Sequence, residues 1–192
     1  MISVDVDTQR FDFPDDWQVS KPDGWSFYRN QYQRLLNGVR LPCPRCGAEL
    51  RCSHCNTAQN AGGKAIDLVA VAPNGTVWLI EVKDYRRHRR TKAIDLADEV
   101  ALKIRDALAA ILAAAFNATV PGQRTHAQLA IRGVSLRVVL HLEQPTNPSK
   151  LFPQSVSSAA VEQSLRHLVK AIDPHPFVLN STAMNNVAWT VT

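Results

Sequence analysis

Two apolar runs, Ala65–Ala72 and Thr76–Val82, contain charges that a covered strand does not hold without a reason. Asp67 lies in the first, Glu81 in the second, and Lys83 follows directly. An ionised side chain in such a place is costly unless it is paired or bound to a metal. The intervening Pro73-Asn74-Gly75 suits a three-residue hairpin loop: Pro73 has the φ of the first turn position, and Gly75 can take the left-handed conformation. That loop sets Ala72 opposite Thr76 and therefore Asp67 opposite Glu81. Opposed residues point to one face, about 5 Å apart at Cβ. Lys83, two positions beyond Glu81, shares that face.

Two carboxylates and an ammonium in one cluster suit phosphodiester hydrolysis. Facing carboxylates repel, and a divalent cation removes the conflict. Oxygen ligands in an open hydrated site favour Mg²⁺ or Mn²⁺ over zinc. Such an ion would neutralise phosphate charge and lower the pKa of a bound water. Lys83 would orient or deprotonate that water, or stabilise charge on the pentacovalent species. The competing reading is a structural ion pair of Lys83 with either acid at a strand end.

Cys43, Cys46, Cys52 and Cys55 are the only cysteines and follow the spacing C-x2-C-x5-C-x2-C. Each C-x2-C pair turns two thiolates toward one point, and two pairs make a tetrahedral site. Residues 41–57 are therefore expected to form a small inserted zinc knuckle, with structural Zn²⁺ and no open position for catalysis. His54 is an alternative ligand, since the middle spacing is short. Disulfides and an iron–sulfur cluster are the other chemistries open to four thiols.

Ile66-Asp67, the apolar strand, and then Glu81-Val82-Lys83 resemble the signature of the PD-(D/E)XK, or restriction-endonuclease-like, nuclease superfamily. The resemblance implies an α/β core in which a central mixed sheet is flanked by helices. It implies that Asp67 and Glu81 bind the catalytic metal, that the Val82 carbonyl adds a ligand, and that Lys83 acts on the nucleophilic water. Ile66 stands where the signature has proline. Some members carry a further acid on the first helix. Residues 24–37 contain none, which leaves Asp15, Asp16, Asp23 or no such ligand.

The basic residues lie beside this cluster. Residues 83–92 (KDYRRHRRTK) hold six Lys or Arg and one Asp, while the rest of the chain balances at 16 of each sign, so the net +5 sits in ten residues. Arg86, Arg87, Arg89, Arg90 and Lys92 are expected to contact a nucleic-acid backbone, and Tyr85 to stack on a base. A solvated charge run is the bland alternative. Phosphate contacts carry no base information, so no sequence specificity is read. A metal-dependent nuclease acting on DNA is the leading expectation, and a non-catalytic nucleic-acid-binding module the second. The small chain has no evident target-recognition domain, so a homodimer or a partner protein is expected to supply targeting, as in a mobile-element or anti-phage defence system.

The elements that must position these residues follow from periodicity. Residues 24–37 space Trp25, Tyr28, Tyr32, Leu35 and Leu36 on one helical face. Residues 94–117 predict a long helix, charged at its start and Ala-rich at its end, with Lys103 expected in solvent and a place facing the cleft as the alternative. Leu136–Glu143 alternates as a half-covered strand, with Arg137, His141 and Glu143 outward. Residues 155–172 predict an amphipathic helix burying Leu165, Leu168, Val169 and Ile172. Phe177–Leu179 and Val187–Val191 are expected to close the sheet, His175 to lie in a turn, and residues 1–22 to form an irregular arm.

The whole is a chain of 192 residues, 45% hydrophobic and 20% charged, expected to form a single domain. This composition excludes a disordered or collagen-like chain. The apolar stretch Ala107–Ala118 is too short to span a bilayer. The first residues carry acids where a signal peptide carries bases, so a cytoplasmic protein is expected. With no Gly-rich phosphate loop, no ATPase activity is expected.

Overall fold

The computed structural model describes residues 1–35, 62–88, 90–145 and 156–192. The knuckle segment 41–57, with all four cysteines and His54, lies outside the described residues, as does Arg89.

The hairpin forms in the expected register. Strand β4 (Leu68–Val71) pairs antiparallel with β5 (Thr76–Asp84), with Leu68 opposite Ile80 and Val71 opposite Val77. Ala72 N–H donates to the Thr76 carbonyl, Gly75 N–H donates to the Ala72 carbonyl, and Gly75 takes φ +80°. A side chain at Gly75 would be strained in that conformation.

The five-stranded sheet runs β3-β4-β5-β6-β7, where β3 is Gln18–Ser20, β6 is Ser135–Glu143 and β7 is Phe177–Leu179. β3, β4 and β5 are antiparallel neighbours, whereas β6 runs parallel to β5 and β7 parallel to β6. A parallel neighbour requires a crossover. Helices α2 (Leu96–Asn117) and α3 (Pro121–Ile131) supply it between β5 and β6, and α4 (Ser158–Leu168) lies between β6 and β7. The chain is thus an α/β fold with a mixed sheet flanked by helices.

The N-terminal residues are not an irregular arm. β1 (Ile2–Val6) and β2 (Gln9–Phe13) form a hairpin, and β8 (Thr190–Val191) completes a three-stranded sheet in the order β1-β2-β8. Val6, Phe11 and Phe13 pack with Trp17, Trp78, Ile80, Val82, Val139 and Trp189 into one core between the two sheets. The other core lies between the large sheet and the helices, with Val69, Leu79, Val138 and Leu140 against Val100, Ile104 and Ile111 of α2 and Leu165 of α4.

This second sheet corrects the reading of β6. His141 and Glu143 are buried rather than solvated, because the face expected to meet water meets the N-terminal hairpin instead. Phe11 lies edge-on to the His141 ring, with centroids 5.1 Å apart. Two helical expectations also shift. The residue 24–37 region is broken, with α1 only Ser26–Asn30 between 3-10 turns at Pro22–Gly24 and Tyr32–Arg34. Leu168 of α4 is exposed, while Leu165 and Val169 are buried.

Candidate functional site

The large sheet has a helix-covered face and a hairpin-covered face, and strand parity assigns each residue of β5 to one of them. Val77 and Leu79 belong to the helix side, and Trp78, Ile80 and Val82 to the other. Glu81 and Lys83 therefore lie on the side where α2 packs.

Asp67 stands one residue before β4, and its carboxylate explains why the strand starts there. In an antiparallel ladder the doubly bonded pairs alternate. Ala72 N–H donates to the Thr76 carbonyl, and the same register carried outward would bring Val82 N–H to the carbonyl of Ile66. Instead Asp67 Oδ2 accepts Val82 N–H at 2.7 Å. The side chain replaces a ladder bond and pulls the chain out of the sheet beside Glu81.

Glu81 is fully buried. Its Oε1 accepts from Lys83 Nζ at 2.6 Å and from Lys103 Nζ at 2.5 Å, while Oε2 is buried with no hydrogen-bond partner. Burial, reinforced by the charge of Asp67, pushes the Glu81 carboxyl up to about 7 against the pull of Lys103 and Lys83. Burial also works against the Lys83 ammonium, but the neighbouring Glu81 carboxylate outweighs it and holds the amine above its ordinary value. Two ammoniums thus do in this structure what the sequence suggested a cation must do. Lys103, expected in solvent, is an inward member of the cluster.

A second acid beside the cluster escaped the sequence reading. Glu99, in the first turn of α2, is buried, and its Oε2 accepts from Arg90 Nη1 at 2.8 Å. Its Oε1 pairs with Lys92 and lies 3.7 Å from Lys83 Nζ. Glu99 and Lys103 are four residues apart, so they share a helical face. That spacing was visible in the sequence; which border of the helix turns toward the sheet was not. Among the described residues, no three His, Cys, Asp or Glu side chains converge as a metal site. Asp15 is exposed and pairs with the Met1 amino group, and Asp16 is exposed as well.

The donor set nevertheless fits a hard cation. Asp67 and Glu81 are oxygen donors, and Glu81 Oε2 is a buried carboxylate oxygen without a partner, an arrangement that costs free energy until something positive reaches it. Water would fill the rest of a Mg²⁺ or Mn²⁺ shell.

The basic segment is partly spoken for. Arg86 Nη2 pairs with Asp84 Oδ2 at 2.7 Å. The side-chain bond from Arg86, with further bonds from the Arg86 N–H and Thr8, holds the Asp84 carboxyl well below its ordinary value. Arg90 and Lys92 are engaged by Glu99, and Arg87 is exposed. Tyr85 packs against the helix-side core rather than standing free. His175 N–H donates to Asp173 Oδ1 at 2.9 Å within a turn, as expected.

No family model matches the chain, and no solved structure matches it. It is 28% identical over 200 residues to a cysteine–tRNA ligase of Neisseria meningitidis serogroup A / serotype 4A (strain DSM 15465 / Z2491). The similarity takes in 94% of this chain, which spans only 28% of the length of that protein.

Proposed function

We propose that this chain is a divalent-metal-dependent nuclease of the PD-(D/E)XK type that hydrolyses phosphodiester bonds, with DNA as its leading substrate. The observation that carries the reading is the gathering of Asp67, Glu81, Lys83 and Lys103 beside the start of β4. The basic segment 83–92 begins at the same point. A mixed sheet with an antiparallel hairpin, a helical crossover and a parallel strand is in keeping with the core that the signature implies.

In this reading Asp67, Glu81 and the Val82 carbonyl hold Mg²⁺ or Mn²⁺. When bound, the ion neutralises phosphate charge and acidifies water. Lys83 positions the attacking water or steadies charge on the reacting phosphorus, and Lys103 keeps Glu81 ionised in its buried setting. Cys43, Cys46, Cys52 and Cys55 bind one structural Zn²⁺. Targeting comes from a second copy or a partner protein.

The test is cleavage of plasmid, linear duplex and single-stranded DNA with Mg²⁺ or Mn²⁺. tRNA belongs among the substrates because the relative is a cysteine–tRNA ligase by name. Asp67→Asn, Glu81→Gln and Lys83→Ala are each expected to lower the rate at least about 100-fold. Cutting that survives Lys83→Ala or excess EDTA overturns the mechanism.

One observation favours a second reading, a non-catalytic nucleic-acid-binding module that keeps the fold. Glu81 is wholly buried and already bonded to two lysines, the arrangement of a structural ion pair. This reading expects salt-sensitive binding that survives Asp67→Ala, and no cleavage of any substrate.

A further inference from the structure

Three cations near the candidate site converge on Glu99, a carboxylate that the proposed nuclease mechanism does not use. Arg90 Nη1 lies 2.8 Å from Oε2, Lys92 pairs with Oε1, and Lys83 Nζ lies 3.7 Å from Oε1. Lys83 is bonded to Glu81, so Glu99 sets one negative charge against the two positive charges of Arg90 and Lys92. The Glu99 side chain is 3% exposed and that of Arg90 13%, but that of Lys92 is 59% exposed, so the cluster reaches solvent at Lys92. It opens on a cleft of about 440 Å³ between the starts of α2 and α4, lined by the cations Arg90 and Lys92, the acids Asp95 and Asp98, and by Ser157 and Ala160. That volume lies within the range of small-ligand clefts. A phosphodiester and a carboxylate each carry one negative charge and accept from the same guanidinium and ammonium donors.

We propose that Glu99 is an internal stand-in for a nucleic-acid phosphate: it keeps Arg90 and Lys92 gathered in the free protein, and both pass to a backbone phosphate in the α2–α4 cleft when nucleic acid binds. The proposal rests on the nuclease reading only for the class of ligand. Stripping cations from a buried carboxylate is costly, so Glu99 weakens attachment to isolated phosphates and reserves binding for chains that make further contacts. The exchange also reaches the candidate site. Once Arg90 and Lys92 leave, Lys83 is the cation nearest Glu99. Its shift toward Glu99 takes one of the two ammoniums off Glu81 Oε1, the oxygen a metal must share.

The test is a salt titration of binding to a labelled DNA duplex by fluorescence anisotropy, without added divalent cation. It uses the full chain and its Glu99→Gln, Lys92→Gln and doubly substituted variants. Lys92→Gln is expected to make the slope of log K against log salt shallower by about 0.9, the loss of one phosphate contact. Glu99→Gln, its fold checked by circular dichroism, is expected to tighten binding about tenfold, the effect of one lost competing contact. Lys92→Gln should also cost several-fold more affinity in the Glu99→Gln background, because Glu99 no longer competes for the amine. An unchanged slope in Lys92→Gln overturns the proposal, as does a folded Glu99→Gln that binds no more tightly. Lys92 is largely exposed, so its slope decides the matter alone if Glu99→Gln fails to fold. A wild-type chain that binds no nucleic acid at low salt sinks this proposal and the nuclease reading together. Wild-type binding with unresponsive variants sinks the proposal alone.

Discussion

Replacing Lys103 by Met keeps the aliphatic stem and removes one of the two ammoniums on Glu81. The consequence depends on pH, because Glu81 can escape an unpaired buried charge by taking a proton. Its carboxyl is raised from 4.5 to about 7 in the folded chain. A raised carboxyl contributes stability that is fully present below the unfolded value and is lost as pH rises through the folded one. By about pH 8 this loss is about 3 kcal/mol in the wild type. Without Lys103 the carboxyl stays protonated to higher pH, and the loss approaches the full cost of protonating an ordinary Glu at about pH 8, about 5 kcal/mol. The variant should therefore be destabilised by about 1–2 kcal/mol more at about pH 8 than at about pH 5, where Glu81 is protonated in both folded proteins. For a chain of this size that difference is about 2–8 °C in Tm. Thermal or urea melts of both proteins at the two pH values, without added divalent cation, measure it. Titration of the cysteines is common to both proteins and cancels in the comparison. A stability gap that is constant with pH, or that narrows as pH rises, would show that Lys103 does not sustain the Glu81 charge.

Gly75→Ala forces an L side chain to φ +80° and should cost about 1–2 kcal/mol, read as a lower urea midpoint with an unchanged slope. Gly133→Ala places a Cβ 2.3 Å from Val77 Cγ2 where β6 begins and should destabilise by about 1–3 kcal/mol, by the same measurement. His126 is lowered by burial, so its contribution is present above its unfolded value and lost as pH falls below it. His126→Gln should accordingly lose less stability than the wild type on acidification from about pH 7.5 to about pH 5.5, with parallel melting curves as the contrary result. Leu165→Ala, at a fully buried position between α4 and the sheet, should cost about 2–5 kcal/mol in chemical denaturation.

Several features were legible because they are local. Pro73-Asn74-Gly75 set the β4–β5 register through backbone conformations that those residues prefer, and Leu68–Ile80 pairing follows it. The acid-rich composition of residues 1–13 obscured a signal that was present. Ile2, Val4 and Val6, then Phe11 and Phe13, alternate with polar residues, a period of two that marks strands. Pro121 at the start of α3 was a similar unused cue. The burial of His141 and Glu143 was beyond local reading, since it depends on a hairpin more than 120 residues away covering that face.

The sequence alone determined how the β4–β5 hairpin is aligned, because turn preference and the two-residue repeat of a strand act over a few bonds. It also concentrated the excess positive charge in residues 83–92. Only the tertiary structure decided the partners of those charges. Which border of α2 meets the sheet depends on how apolar area is buried against β5 and β6 across the whole layer. That packing brings Lys103 to Glu81 and gathers Arg90 and Lys92 on Glu99. Long-range packing thus engages Lys83, Arg90 and Lys92 of that run with the buried carboxylates Glu81 and Glu99.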